Sequence, residues 1–84
     1  MRWGDRADRI THTGSRFVWE QIAEDIAADI ASGALSYDDR LPAEHALADI
    51  YGVARPTVRR AIASLVDQGL LVVRHGRGTY VAKR

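Results

Sequence analysis

Residues 51–61 read Tyr-Gly-Val-Ala-Arg-Pro-Thr-Val-Arg-Arg-Ala, and this stretch decides the fold. Gly52 allows the left-handed backbone of a sharp turn, and Val53 is the apolar residue that packs such a turn against its flanking helices. Pro56 is tolerated only in the first turn of a helix. Val58, Ala61, Ile62, Leu65 and Val66 then recur at helical spacing until Gly69, so a helix is expected to begin just after Ala54 and to end near Gly69.

Upstream, Ala46, Leu47, Ile50 and Tyr51 form one apolar stripe. They predict a helix about nine residues long, with Pro42 in its first turn and Gly52 at its end. Two helices joined across Gly52-Val53-Ala54 make a helix-turn-helix. Further back, Val18, Ile22, Ile26 and Ile30 follow at i+4 with Ala23 and Ala27 beside them, an amphipathic helix with Ser15 as N-cap and Gly33 as C-cap. The acid pairs Glu20/Glu24 and Asp25/Asp29 fall off that stripe and read as a solvated face. Residues 33–42 form a loop in which Arg40-Leu41 can make a very short strand. Downstream, Leu70-Leu71-Val72-Val73 and Thr79-Tyr80-Val81 are β-prone runs around the tight turn His75-Gly76-Arg77-Gly78.

The expected fold is mainly α with a small β-hairpin wing: a winged helix-turn-helix of three helices and a two- to three-stranded antiparallel sheet. It occupies residues 16–84. Residues 1–15, polar and without periodicity, read as a flexible N-terminal arm; Trp3 alone in it suggests docking.

The net charge of +1 hides an asymmetry. Residues 1–53 carry five Arg against ten acids, and residues 54–84 carry six Arg and one Lys against Asp67 alone. A basic end of this kind is the footprint of a polyanion binder. In the third helix Arg55 and Arg59 stand one turn apart, and Arg60, about 140° around the axis from Arg55, faces away from the core. No acid lies between Asp49 and Asp67 to pair with them within the element. Arginine at a helix N-terminus is suited to guanine O6 and N7 in the major groove, and Thr57 to a phosphate or a thymine methyl. At the hairpin tip, glycines allow close approach and Arg77 suits a narrow minor groove.

The segments Arg40-Leu41-Pro42-Ala43-Glu44, Tyr51 to Ala61, Gly69-Leu70-Leu71 and Gly76 to Val81 occur in order, together with Ile30-Ala31-Ser32-Gly33 upstream. In this the sequence resembles the N-terminal domain of the GntR family of bacterial transcription regulators, over about residues 16–82. The resemblance implies that Arg55 and Arg59 contact operator bases and phosphates, with Thr57 between them. It implies that Glu44 and His45 reach DNA from the second helix, and that His75 and Gly76 form the wing tip in the minor groove. Glu44 could accept a hydrogen bond from cytosine N4. The sequence departs from the family pattern at Ala43 and Ala54, where hydroxyl residues worth ~1 kcal/mol of helix capping are usual, and at Pro56, where relatives often contact DNA. Family members usually carry a C-terminal effector-binding and oligomerisation domain. That domain is absent from this sequence; a fragment of a longer regulator and a stand-alone DNA-binding protein both fit, and the effector stays unknown.

The function expected is sequence-specific binding of a double-stranded palindromic operator as a homodimer, by a cytoplasmic transcription regulator acting as a repressor. The alternative is a winged-helix protein-interaction module without DNA specificity. An enzyme is not expected: His12, His45 and His75 are not at metal-ligand spacing, Ser64 has no base nearby in sequence, and cysteine is lacking. No metal or cofactor is expected. No apolar run approaches the ~18 residues of a membrane span.

Overall fold

The computed structural model describes residues 1–83. In order it contains a 3-10 turn (Ala7–Arg9), α1 (Val18–Ser32), α2 (Glu44–Tyr51), α3 (Arg55–Asp67), β1 (Leu71–Arg74) and β2 (Gly78–Val81). The strands pair antiparallel, Leu71 opposite Val81 and Arg74 opposite Gly78. Arg40 adds only an isolated antiparallel bridge to Tyr80, so the sheet has two strands and the very short strand expected at Arg40-Leu41 is reduced to one bridge. This is the winged helix-turn-helix read from the sequence. Among the described residues no helix is long and apolar enough to cross a membrane.

The core sits where the three helical stripes converge on the hairpin's inner face. Ile22, Ile26 and Ile30 of α1, Leu47 and Tyr51 of α2, and Val58, Ala61 and Leu65 of α3 are buried, closed off by Leu71 and Val81. Val18, Ala27, Ile62 and Val66 pack around this cluster, half-buried. Each helix presents one apolar face because its hydrophobic residues recur at three and four positions, the spacing of one side of a helix.

Gly52 ends α2 at φ 65°, the conformation that the turn into α3 requires and that a side chain disfavours. A Cβ there would also meet the Ala7 side chain at 3.0 Å, so the N-terminal segment lies directly behind the turn.

That contact belongs to the main difference from the sequence reading. The flexible arm expected over residues 1–15 is replaced, over residues 3–10, by a strap packed on α1 and α2. Arg6 is only 2% exposed and Ile10 joins the core. The Arg6 Nη1 lies 2.9 Å from Asp25 and 2.8 Å from Asp29 and donates to the Tyr51 hydroxyl at 3.2 Å. Its guanidinium stands 4.4 Å from the Trp3 ring centroid, so Trp3 does dock. The backbone N–H of Arg6 donates to the carbonyl of Ile50 at 2.7 Å. One turn on, Gln21 and the backbone of Thr11 exchange two hydrogen bonds of 2.8 Å. Composition favoured an arm because the segment is polar. One arginine between two carboxylates and two rings outweighs that, since the ion pairs satisfy the charge that burial would otherwise penalise.

The acid pairs on α1 therefore divide. Asp25 and Asp29, expected on a solvated face, hold Arg6, while exposed Glu24 meets Arg16. The boundaries shift slightly as well. Helix α1 is capped by Phe17 in place of Ser15, with the Glu20 carboxylate accepting from the Phe17 N–H. Helix α2 starts at Glu44, so Pro42 precedes the Ala43 cap and lies outside the first turn.

Candidate nucleic-acid interface

The helix-turn-helix sets Arg55 and Arg59 on one exposed face of α3, because four residues make roughly one helical turn. The acid missing from their own helix comes from the neighbouring one. The Glu44 carboxylate, at the first turn of α2, accepts from Arg59 Nε at 3.0 Å and from Arg59 Nη2 at 2.8 Å. Arg55 Nε stands 3.7 Å from the same carboxylate. The expectation that these arginines lack an acidic partner thus holds within α3 and fails across the turn. The hydrogen bonds from Arg59 hold the Glu44 carboxyl below its usual range against a small opposing effect of burial, and the same bonds raise Arg59. The pair is fork-on-fork, the geometry that fixes a guanidinium plane most tightly.

Arg60 is exposed, as its position predicts, but its guanidinium lies 4.8 Å from the Trp19 ring centroid on α1. It turns away from the core onto an aromatic surface and does not join Arg55 and Arg59. Thr57 is half-buried, its N–H donating to the Ala54 carbonyl at 3.1 Å. His45 is exposed beside Glu44. Neither Ala43 nor Ala54 supplies a side-chain cap, so the first-turn N–H groups of α2 and α3 lack a side-chain acceptor from their N-caps.

On the hairpin, His75, Gly76 and Arg77 form the exposed tip, closed by the Arg77 N–H donating to the Arg74 carbonyl at 2.9 Å. Below the tip, Arg74 pairs with Asp38 at 2.8 Å and stacks 4.4 Å from the Tyr80 ring. A groove of about 380 Å³ separates the hairpin from the helices, with Glu44 and Arg59 on one wall and Gly78 and Thr79 on the other. The residues singled out in the sequence thus fall into two sets, Glu44 with Arg55 and Arg59 beside this groove and the tip residues beyond it. The strap, the Glu44 clamp and the seat of Arg60 on Trp19 were not found by sequence reasoning. The one available signal was Asp25 and Asp29 at i, i+4 with two arginines, Arg6 and Arg9, in the strap.

The model of the gntR family of bacterial regulatory proteins matches residues 19–81. The HTH-type transcriptional repressor NagR of Bacillus subtilis is 42% identical over 66 residues, which is 79% of this chain and 27% of that protein. The mannosyl-D-glycerate transport/metabolism system repressor MngR of Escherichia coli is 46% identical over 68 residues, 81% of this chain and 28% of that protein. The chain therefore spans a little over a quarter of the length of these curated relatives. Among solved structures, YtrA from Sulfolobus acidocaldarius, a GntR-family transcription factor, superimposes with a TM-score of 0.85 at 35% identity, covering 93% of this chain and 82% of that one. The DNA-binding domain of AraR in complex with operator ORE1 gives 0.75 at 41% identity, covering 83% and 89%.

Proposed function

The chain belongs to the gntR family of bacterial regulatory proteins, and from that premise we propose that it binds operator DNA as a transcription repressor, in the cytoplasm where that DNA lies. Helix α3 enters the major groove with Arg55, Thr57 and Arg59 towards the base edges and adjacent phosphates. Glu44 and His45 approach from α2, and the wing tip of His75, Gly76 and Arg77 enters the minor groove. Arg60, seated on Trp19, contributes charge more than base reading. Two copies related by a two-fold axis occupy the half-sites of a palindrome, since successive major grooves on one face of DNA repeat every ~34 Å.

The observation that carries this reading is the pair of arginines one turn apart at the opening of α3. Their side chains are 61% and 67% exposed although the shared Glu44 aligns them. An interaction module without DNA specificity would call for an apolar surface at this place. The likeness to a DNA-binding domain solved on its operator supports the same conclusion. Its test is selection of bound sequences from a random duplex library, followed by titration of the enriched site. Enrichment of a palindrome is expected, with log affinity falling against log salt at a slope near −4 to −5 per protomer if about five phosphates are neutralised. If Arg55→Ala and Arg59→Ala both leave binding of that site within twofold of the parent, the assignment of α3 is wrong.

A further inference from the structure

The groove between the helices and the wing contains a basic residue to which the proposed recognition scheme gives no role. Arg40 is anchored on both sides by β2. The Leu41 N–H donates to the Thr79 carbonyl and the Val81 N–H to the Asp39 carbonyl, each at 2.9 Å, while Arg40 itself bridges Tyr80. Its side chain then crosses Gly78. A Cβ at residue 78 would lie 2.7 Å from Arg40 Nε and 3.4 Å from Cζ, so the path of this guanidinium exists only because residue 78 is glycine. Arg40 is exposed, and among the described residues no carboxylate stands within ion-pair distance of it. Asp38 is taken by Arg74, Asp39 accepts from the Ser36 N–H at 2.8 Å, and Glu44 is held by Arg59.

We propose that the groove lined by Arg40 is a phosphodiester seat, and that Arg40 grips the DNA strand running between the groove read by α3 and the groove entered by the wing. This rests on the DNA-binding reading above. Major and minor grooves, about 12 Å and 6 Å wide, are separated by one sugar–phosphate backbone. A protein with a helix in one and a hairpin tip in the other must straddle that backbone at the seam between the two elements. In this chain the seam is a groove with Glu44 and Arg59 on the helix side and Gly78 and Thr79 on the wing side. Arg40 lies in it as a cation whose partner is not supplied by the protein. A guanidinium matches a phosphate bidentately. Such a contact fixes register and adds affinity on any sequence.

The test compares the full chain with Arg40→Gln and Arg40→Lys, on the selected operator and on a scrambled duplex, across a salt series. Arg40→Gln is expected to weaken both duplexes by the same factor, roughly tenfold, and to reduce the salt slope by about one per bound protomer. Arg40→Lys keeps the slope. A scan of single neutral methylphosphonates along the operator locates the contact without any variant. One position per half-site, on the strand between the two grooves, should weaken the parent chain and leave Arg40→Gln unaffected. The proposal is overturned if Arg40→Gln binds as tightly as the parent, if it alters the preferred base at any position, or if no phosphate between the grooves is sensitive in the parent chain. If the parent binds neither duplex, the DNA-binding reading itself fails, and that outcome is distinct from a parent that binds while Arg40 proves silent.

Discussion

Replacing Arg6 by Met isolates the strap. The substitution keeps an unbranched stem between Trp3 and the α1–α2 surface and removes only the guanidinium. It leaves Asp25 and Asp29, whose side chains are 22% and 17% exposed, without their shared cation. Removing one partner of a fully buried pair costs about 3–5 kcal/mol. Here both carboxylates keep some solvent, and Asp25 also retains Arg9 at 3.1 Å and the Tyr51 hydroxyl at 2.8 Å. A loss of about 2–4 kcal/mol follows, a large part of the ~4–12 kcal/mol expected for a domain of this length. At about 4–8 °C per kcal/mol, thermal unfolding followed by circular dichroism should show Tm lowered by roughly 8–32 °C.

The pH dependence separates charge from packing. Burial pushes Asp25 up, but the hydrogen bonds from Tyr51 and Arg9 and the charges of Arg9 and Arg6 outweigh it and hold the carboxyl below its usual range. A carboxylate lowered on folding contributes stability that is present above its unfolded pKa, about 3.9, and is lost as pH falls through the folded value. Without Arg6 the opposing effect of burial gains ground, so the variant has less of this contribution to lose. The gap in Tm between parent and variant should therefore be widest near neutral pH and narrow below about pH 4. A variant melting within 2 °C of the parent, or a gap that stays constant down to pH 3, would refute the reasoning.

Three further outcomes follow from the same geometry. Gly52→Ala combines a φ of 65° with a 3.0 Å approach to Ala7, and should cost about 1–2 kcal/mol in urea unfolding. The Glu44 carboxyl, followed by NMR, should titrate below its ordinary range in the parent and return towards it in Arg59→Ala, because the Arg59 hydrogen bonds are the largest cause of its shift. Arg60→Ala should weaken operator binding less than Arg55→Ala or Arg59→Ala and leave the preferred sequence unchanged, since this guanidinium rests on Trp19; a changed base preference would make Arg60 a reader.

Periodicity made the helices legible. Ile22, Ile26 and Ile30, then Leu47 and Tyr51, then Val58, Ala61 and Leu65 are all buried, and each lies on a stripe visible without coordinates. The turns were legible because Gly52, Gly76 and Gly78 take positive φ, a backbone requirement that shows in sequence whatever each glycine packs against. What escaped were pairings between residues far apart in sequence. Glu44 meets Arg59 across 15 positions, and Arg6 meets Asp29 across 23. Composition marks such residues as polar and assigns them to solvent. Only the fold brings two opposite charges close enough for burial or alignment to become favourable. The strap was misread for that reason, whereas Arg55 and Arg59 were placed correctly on α3 and only their acidic partner was missed.

The ion pairs made by Arg6 and by Arg59 differ in their surroundings, and so in what they do. Arg6 is sealed behind α2, where a low local dielectric makes its carboxylates hard to replace. Arg59 and Glu44 stand in solvent, where an ion pair is worth about 0–1 kcal/mol. Separating or sharing the exposed pair with a base edge or phosphate therefore costs little, while its fork geometry still presents Arg59 in a defined plane before any partner arrives. Net negative charge in residues 1–53 is partly spent on these two tasks, and Arg40 and Arg77 are left without acidic partners among the described residues, beside the groove and at the wing tip. On the proposed reading, stability and recognition thus fall to different arginines. Substitutions at Arg6 should move Tm with intrinsic affinity unchanged at temperatures where the variant stays folded, and substitutions at Arg55 or Arg59 should move affinity with little change in Tm. A stability loss above about 2 kcal/mol in Arg59→Ala would contradict this division, since an exposed pair cannot supply it.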